Sequence, residues 1–189
     1  MSELSSSDAW YELTESTSLE QGDFFPNCQV ALPHFASPIK PPAGQELSVI
    51  GATLKIYDVV VLSQSCDLEQ NKLTHALVCP YESIENLPLI VQRPTLNGKE
   101  LRNLQENIRA GNQPPFHMLA AQTEAPLNFG VQIVSFRSVF SLPVSYLTHL
   151  AATSQPRLRL RSPYKEHLSQ AFARFFMRVG LPSNIPPFK

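Results

Sequence analysis

Hydrophobic residues in the middle of the chain form short, continuous runs that are typical of β-strands. Residues 56–62 (Ile-Tyr-Asp-Val-Val-Val-Leu) are rich in β-branched side chains, which favours a strand buried on both faces. A second run at residues 73–79 is expected to end at Pro80, because proline has no amide hydrogen for a strand ladder. The segment between the runs allows them to pair as an antiparallel ribbon with a wide loop.

Three other segments have strand patterns. A turn signal at Gln21-Gly22-Asp23 precedes a strand that begins at Phe24, and residues 131–136 form a later strand that is expected to continue toward Pro143. Residues 157–161 alternate arginine and leucine with a period of two. This alternation predicts a strand with three guanidinium groups on one face and two leucines on the other.

Helical spacing marks residues 99–109, a shorter stretch at 146–152, and residues 163–179. The last helix is expected to begin after Ser162 and to end at Gly180. At about 100° per residue its apolar side chains fall on one arc, which His167, Arg174 and Arg178 flank as a polar stripe. The arc contains Tyr164, Leu168, Ala171, Phe172, Phe175, Phe176 and Val179.

Together these elements predict a mixed α+β domain. We expect a small twisted antiparallel sheet or a partly open, SH3-like β-barrel, with the C-terminal amphipathic helix packed on it. A length of 189 residues with 43% hydrophobic residues suits a single domain. We divide it into a partly flexible N-terminal segment (1–20) holding a short helix or an anchored tail, a β-rich body (21–161) and the C-terminal helix (162–180).

The net charge of −1 conceals an asymmetry between the two halves of the chain. Residues 1–95 carry 4 Lys and Arg against 12 Asp and Glu, whereas residues 96–189 carry 11 against 4. One interpretation is that the basic side chains pair with the acidic half or form a solvated face. The other is that they form a surface for an anionic partner, since guanidinium groups suit phosphate. The residues of this predicted basic surface are Arg157, Arg159, Arg161, Arg174 and Arg178.

A polar segment follows the first predicted core strand and contains the candidate catalytic residues Ser63, Ser65, Cys66 and Asp67. Loops that leave a rigid strand commonly hold catalytic groups. A cysteine nucleophile needs a base within reach, for which His75, His117 and His149 are candidates. Alternatively, the serines and Asp67 satisfy turn backbone groups and Cys66 packs as a small hydrophobic residue.

Cysteine spacing argues against a metal or cofactor site. The chain has three cysteines and no Cys-x-x-Cys pair, and on one strand His75 and Cys79 would lie roughly 13 Å apart, too far to share an ion. The sequence therefore predicts no metal and no cofactor. Without an N-terminal leader pattern or a long apolar run, we expect a soluble, cytoplasmic protein with reduced thiols and no membrane partner.

Three short segments occur in the order found in a known family. Gly22-Asp23-Phe24-Phe25, Val59-Val60-Val61-Leu62-Ser63 and Ala76-Leu77-Val78-Cys79-Pro80 together resemble the MazF/PemK family of SH3-like barrels. The resemblance implies either a ribonuclease that needs no metal or an inactive relative that serves as a binding module. Nuclease members usually have Arg-Pro or Lys-Pro before the second strand, where this chain has Tyr57-Asp58.

We therefore predict a non-enzymatic interaction module that binds a protein or nucleic-acid partner through the basic surface. The alternative is an enzyme that uses residues 63–67, either as a metal-independent ribonuclease or as a cysteine-dependent hydrolase. His117 is interpreted as a packed or surface histidine. The phenylalanines of the C-terminal helix are interpreted as core residues.

Overall fold

The computed structural model describes residues 9–34, 51–87, 97–122, 128 and 130–177. A short 3₁₀ helix, Ile84–Asn86, follows the fourth strand. In chain order the other elements are β1 (Tyr11–Thr14), β2 (Phe24–Pro33), β3 (Ala52–Val61), α1 (Ser65–Glu69), β4 (His75–Ser83), α2 (Gly98–Arg109), β5 (Phe116–Leu119), β6 (Gln132–Ser135), β7 (Phe140–Pro143), α3 (Val144–Thr153), β8 (Arg157–Leu160) and α4 (Tyr164–Phe176). The fold is thus α+β, as predicted, although the described strands form open antiparallel sheets that do not close into a barrel.

The larger sheet has the order β2-β3-β4-β6-β5, and β7 also pairs with β4. Antiparallel pairing of β3 with β4, which places Val60 opposite Cys79, confirms the predicted ribbon. The prediction that Pro80 ends the second strand is wrong, because β4 continues to Ser83. Residues 75–78 pair with β7 and residues 81–83 with β6, so Pro80 lies between the two partners and its missing amide hydrogen breaks neither ladder.

A second, two-stranded sheet joins the two ends of the described chain. β1 pairs antiparallel with β8, with Tyr11 opposite Leu160. Residues 11–14 thus form a strand in place of the expected short helix, and this part of the N-terminal segment is anchored. The turn at Gly22 has a φ of +83°, and a Cβ there would lie 2.8 Å from the Leu160 Cβ, so only glycine fits between β8 and the start of β2.

Hydrophobic clusters cover both faces of the larger sheet. Val60 packs in one cluster with Leu168 of α4, whereas Val59 and Val61 pack in the other with Leu147 of α3. The prediction of a strand buried on both faces thus holds for residues 59–61. Ile56, at the other end of the predicted run, is 65% exposed and belongs to neither cluster.

The two longer predicted helices have the expected positions. α2 begins with a capping box in which Asn97 and Glu100 bond each other's backbone amides, and it ends before Gly111, whose φ is +72°. In α4, Leu168 is fully buried, and Phe172 and Phe175 are half-buried against the same cluster. Phe176 is 61% exposed, so its assignment to the core is wrong. Val179 and Gly180 lie outside the described residues.

Candidate functional site

Two residues of the predicted basic surface are buried. Arg157 and Arg159 are only 2% and 5% exposed, and both pair with Asp23, which is fully buried. Arg159 Nε donates to Asp23 Oδ1 at 2.6 Å, and Arg157 Nη2 donates to Asp23 Oδ2 at 3.2 Å. Arg159 also pairs with Glu20. The interpretation that these arginines pair with the acidic half is confirmed, and their assignment to a binding surface is wrong.

The physical reason lies in the segment before β2. Its backbone crosses the arginine face of β8, where the Ser16 and Ser18 carbonyls accept hydrogen bonds from Arg157. The alternation in residues 157–161 therefore predicts the strand correctly, but the face opposite the leucines is covered too. Arg161 and Arg174 are exposed, and Arg178 lies outside the described residues.

The candidate catalytic segment leads into the five-residue helix α1, which begins at Ser65. Ser63 Oγ accepts a hydrogen bond from the Leu77 amide at 2.8 Å, and Ser65 Oγ accepts one from the Gln21 amide at 3.1 Å. Both serines thus satisfy backbone groups, as the alternative interpretation expects. Asp67 forms an exposed ion pair with Lys72 at 3.6 Å.

Cys66 is exposed rather than packed. Within the described part of the chain its sulfur is hydrogen-bonded to no imidazole, and its polar contact is Asp67 Oδ1 at 3.9 Å. His75 bonds Thr74 instead, and His149 is exposed on α3. Among the described residues no histidine is placed to act as a base for Cys66. The enzyme hypothesis for residues 63–67 therefore stays a prediction.

A groove of about 650 Å³ lies between the C-terminal end of α2, β5, α4 and Trp10. We call it the His117 groove. Its walls are mainly apolar, and none of the described residues that line it is acidic. Its polar side chains are Arg109, His117, His167, Gln170 and Arg174. A mainly apolar cleft with a few polar groups is the usual form of a ligand site.

His117 is a half-buried polar residue of this groove. Its Nε2 is inaccessible to solvent and has no hydrogen-bond partner among the described residues. Burial, together with the nearby His167, lowers the pKa of His117 to about 4. The imidazole is therefore neutral near pH 7 and retains an unused hydrogen-bonding atom.

Basic side chains reach the groove from two helices. Arg174 of α4 lies beside the end of α2, since a Cβ on Gly111 would be 3.4 Å from Arg174 Nη1. The partial negative charge of a helix C-terminus favours a guanidinium at that position. His167 is exposed on the same helix, and Arg109 of α2 forms an exposed ion pair with Glu106 at 2.6 Å.

One aromatic residue of the groove belongs to a stacked pair. Trp10 stacks on Tyr164 of α4, with ring centroids 4.0 Å apart and planes 12° apart. Tyr164 in turn meets His167 edge to face at 6.1 Å. The Arg161 amide donates to the Trp10 carbonyl at 2.9 Å, which places this predicted partner-binding residue next to the aromatic pair.

The sequence pattern indicated only the part of the His117 groove that belongs to α4. Helical spacing places His167 and Arg174 on one stripe, and both line the groove. His117 and Trp10 were not predicted to belong to it. Their contacts come from β5 and from the segment before β1, which local spacing does not connect to α4. The Pro-Phe-His stretch at the start of β5 was the one available signal for His117.

Comparison with protein-family models, with curated proteins and with solved structures finds no match for this chain. The resemblance to the MazF/PemK family therefore stays a prediction. Among the described residues, no group of three or more His, Cys, Asp and Glu is placed to hold a metal ion. No helix in the described ranges is long and apolar enough to cross a membrane.

Proposed function

We propose that the protein is a non-enzymatic interaction module that binds single-stranded nucleic acid in the His117 groove. The observation that supports this most is the composition of the groove. It combines basic side chains from two helices with Trp10, whose indole stacks on Tyr164, and has no carboxylate among its described lining residues.

The basic side chains suit a phosphate backbone. Arg174 and His167 lie seven residues apart on α4, which corresponds to two turns and about 10 Å along one side of the helix. Arg161 lies outside the lining of the groove but next to Trp10, since its amide donates to the Trp10 carbonyl. Guanidinium groups bind phosphate oxygens through paired hydrogen bonds, so these residues can follow the backbone of a bound strand.

The aromatic pair favours unpaired bases. Tyr164 covers one face of Trp10, and the indole borders the groove. Bases within a duplex are stacked on one another, whereas the bases of a single strand can stack on a protein side chain. An acidic protein would use the basic residues and would also pack on Trp10, whereas each nucleotide of a single strand offers a phosphate and a flat base together. We therefore propose nucleic acid as the partner.

The first test measures how tightly a fluorescently labelled single strand binds, at about 50 mM salt where charge contacts are strong. We expect R174Q combined with H167Q to weaken binding by about tenfold, because two phosphate contacts are lost. R102Q is the matched control, since Arg102 is an exposed arginine of α2 outside the groove. Equal binding by both variants would exclude the groove.

A second arm of the test uses Trp10, which is the only tryptophan of the chain. Stacking of a base should quench its fluorescence, and a duplex of the same sequence should bind more weakly with less quenching. Failure of both single strands and duplexes to bind would reject a nucleic-acid partner and leave the acidic protein as the remaining candidate.

A further inference from the structure

A second cleft lies on the other face of the larger sheet. Its volume is about 450 Å³, and it is bounded by the segment before β2 (residues 17–20), by α1 with the turn that follows it, and by the start of α3. We call it the Glu69 cleft. Leu68 lines it and packs in the cluster of Val59, whereas α4, which lines the groove, packs in the cluster of Val60. The Glu69 cleft is therefore a separate site from the groove.

The charge of the Glu69 cleft is opposite to that of the groove. Its described lining residues include two carboxylates, Glu20 and Glu69, and no lysine, arginine or histidine. Glu20 is already paired with Arg159. Glu69 is exposed and forms no ion pair with any described residue. Its charge is therefore uncompensated, which favours a cationic ligand.

Further hydrogen-bonding residues meet at the same cleft. Thr17, Asn71 and Thr148 line it from three segments of the chain, and their side chains form no hydrogen bond with another described residue. Each of these side chains has an oxygen that can accept a hydrogen bond. Together with the Glu69 carboxylate, the cleft offers a set of acceptors that a ligand rich in donors would satisfy.

An arginine side chain has the chemistry that this lining requires. Its guanidinium carries five N–H donors and no acceptor, and its charge is opposite to that of Glu69. Its aliphatic stem can pack on Leu68 and Val144, which also line the cleft. A neutral ligand would leave Glu69 without a counter-charge, and an anion would be repelled. We propose that the Glu69 cleft binds an arginine side chain of a protein partner.

The charges of the lining favour arginine within a peptide over the free amino acid. Free arginine also carries a carboxylate, which would lie near Glu20 and Glu69 without a cation among the described lining residues to pair with it. Within a peptide chain arginine has no such charge. Arginine is also enriched among the residues that dominate protein–protein interfaces. This site goes beyond the binding of nucleic acid and does not depend on it.

An NMR titration of the ¹⁵N-labelled protein with the peptide acetyl-Gly-Arg-Gly-amide tests the proposal. We expect the amide signals of residues 17–20, 65–71 and 144–148 to shift and to saturate with a Kd on the order of 1 mM, as suits a single side chain. The matched control peptide contains citrulline, which has a similar shape without the charge, and should cause no saturating shift. Free arginine should bind at least about threefold more weakly than the peptide.

Three variants locate the site. We expect E69Q to weaken binding of the arginine peptide by about fivefold, because one exposed charge contact is lost. E85Q is the matched control, since it removes the same charge from an exposed glutamate of the 3₁₀ helix outside the cleft. T148W changes no charge but fills the cleft with an indole, so it should abolish binding. The amide spectrum of each variant shows whether it is folded.

Several outcomes would overturn the inference. If the arginine peptide caused no saturating shift up to tens of millimolar, or if the citrulline peptide caused equal shifts, the cleft would not select an arginine. Equal weakening in E69Q and E85Q would indicate general attraction to the acidic half of the chain instead of a site. If free arginine bound as tightly as the peptide, the cleft would be a small-molecule site. None of these results bears on the His117 groove, which is tested with nucleic acid alone.

Discussion

At the scale of single residues, His117 links the groove to the stability of the fold. Burial and His167 lower its pKa from 6.5 to about 4, so the folded protein binds this proton more weakly than the unfolded chain. The contribution of neutral His117 to stability is therefore complete above about pH 6.5 and is lost as the pH falls toward 4. The difference in pKa corresponds to about 3 kcal/mol.

We expect H117Q to remove this part of the pH dependence, because glutamine does not titrate. Urea unfolding at pH 7 and at about pH 4.5 should show a smaller loss of stability for H117Q than for the wild type, by about 2 kcal/mol. H149Q, which changes an exposed histidine of α3, is the control and should behave as the wild type does. If the stability of H117Q and of the wild type changed with pH in the same way, the lowered pKa assigned to His117 would be contradicted.

At the scale of elements, β8 shows which part of the structure the sequence could predict. The alternation of Arg and Leu predicts the strand, since it follows the period of two set by strand geometry. It does not reveal that the arginine face is covered, because Asp23 and the carbonyls of Ser16 and Ser18 come from more than 130 residues earlier in the chain.

The same limit applies to the short strands. β1 and β5 have four residues each, and β1 pairs with β8, which is distant in sequence. α2 was predictable because Asn97, Glu100 and Gly111 mark its two ends locally. Elements with local signals were therefore predicted well, whereas those that depend on a distant partner were not.

The buried ion pairs between β8 and the turn before β2 should make a large contribution to stability. Asp23 accepts four hydrogen bonds, from the Glu20 amide, from Arg157 and twice from Arg159. We expect Asp23→Ala to reduce the free energy of unfolding by about 3–5 kcal/mol, because two buried guanidinium groups lose their counter-charge. Chemical denaturation measures this change.

Asp67→Ala is the matched control for this prediction, since it removes the exposed ion pair with Lys72. Exposed pairs contribute about 0–1 kcal/mol, so this variant should remain close to the wild type. A similar small loss for Asp23→Ala would mean that the buried arginines find other partners and that Asp23 is not the counter-charge they require.

At the scale of the whole molecule, α4 connects the groove to the core. Leu168 lies in the cluster that contains Phe24 and Val60, and the Gln21 side chain donates to Ser169 Oγ at 2.6 Å. His167 and Arg174 line the groove from the same helix. The sequence predicted the helix and its buried face. It did not predict that α2, β5 and Trp10 lie opposite the polar stripe, because that depends on how the entire chain packs.

A chain that ends at Arg161 should therefore not fold cooperatively. It lacks Leu168, whose burial contributes about 1.5–3 kcal/mol, and it also lacks the half-buried Phe172 and Phe175. Such losses are comparable with the total stability of a small domain, which is about 5–15 kcal/mol. We expect a thermal melt followed by circular dichroism to show no sigmoidal transition for residues 1–161.

Two point variants show whether packing of α4 is the cause. Leu168→Ala should lower the free energy of unfolding by about 2–5 kcal/mol, as is usual for a cavity left in a core. Phe176→Ala removes a larger side chain from the same helix but should cost far less, because that ring is 61% exposed. If residues 1–161 melted cooperatively, or if the two variants lost equal stability, the core would be complete without α4. The groove would then be formed by a helix that docks on an already folded body.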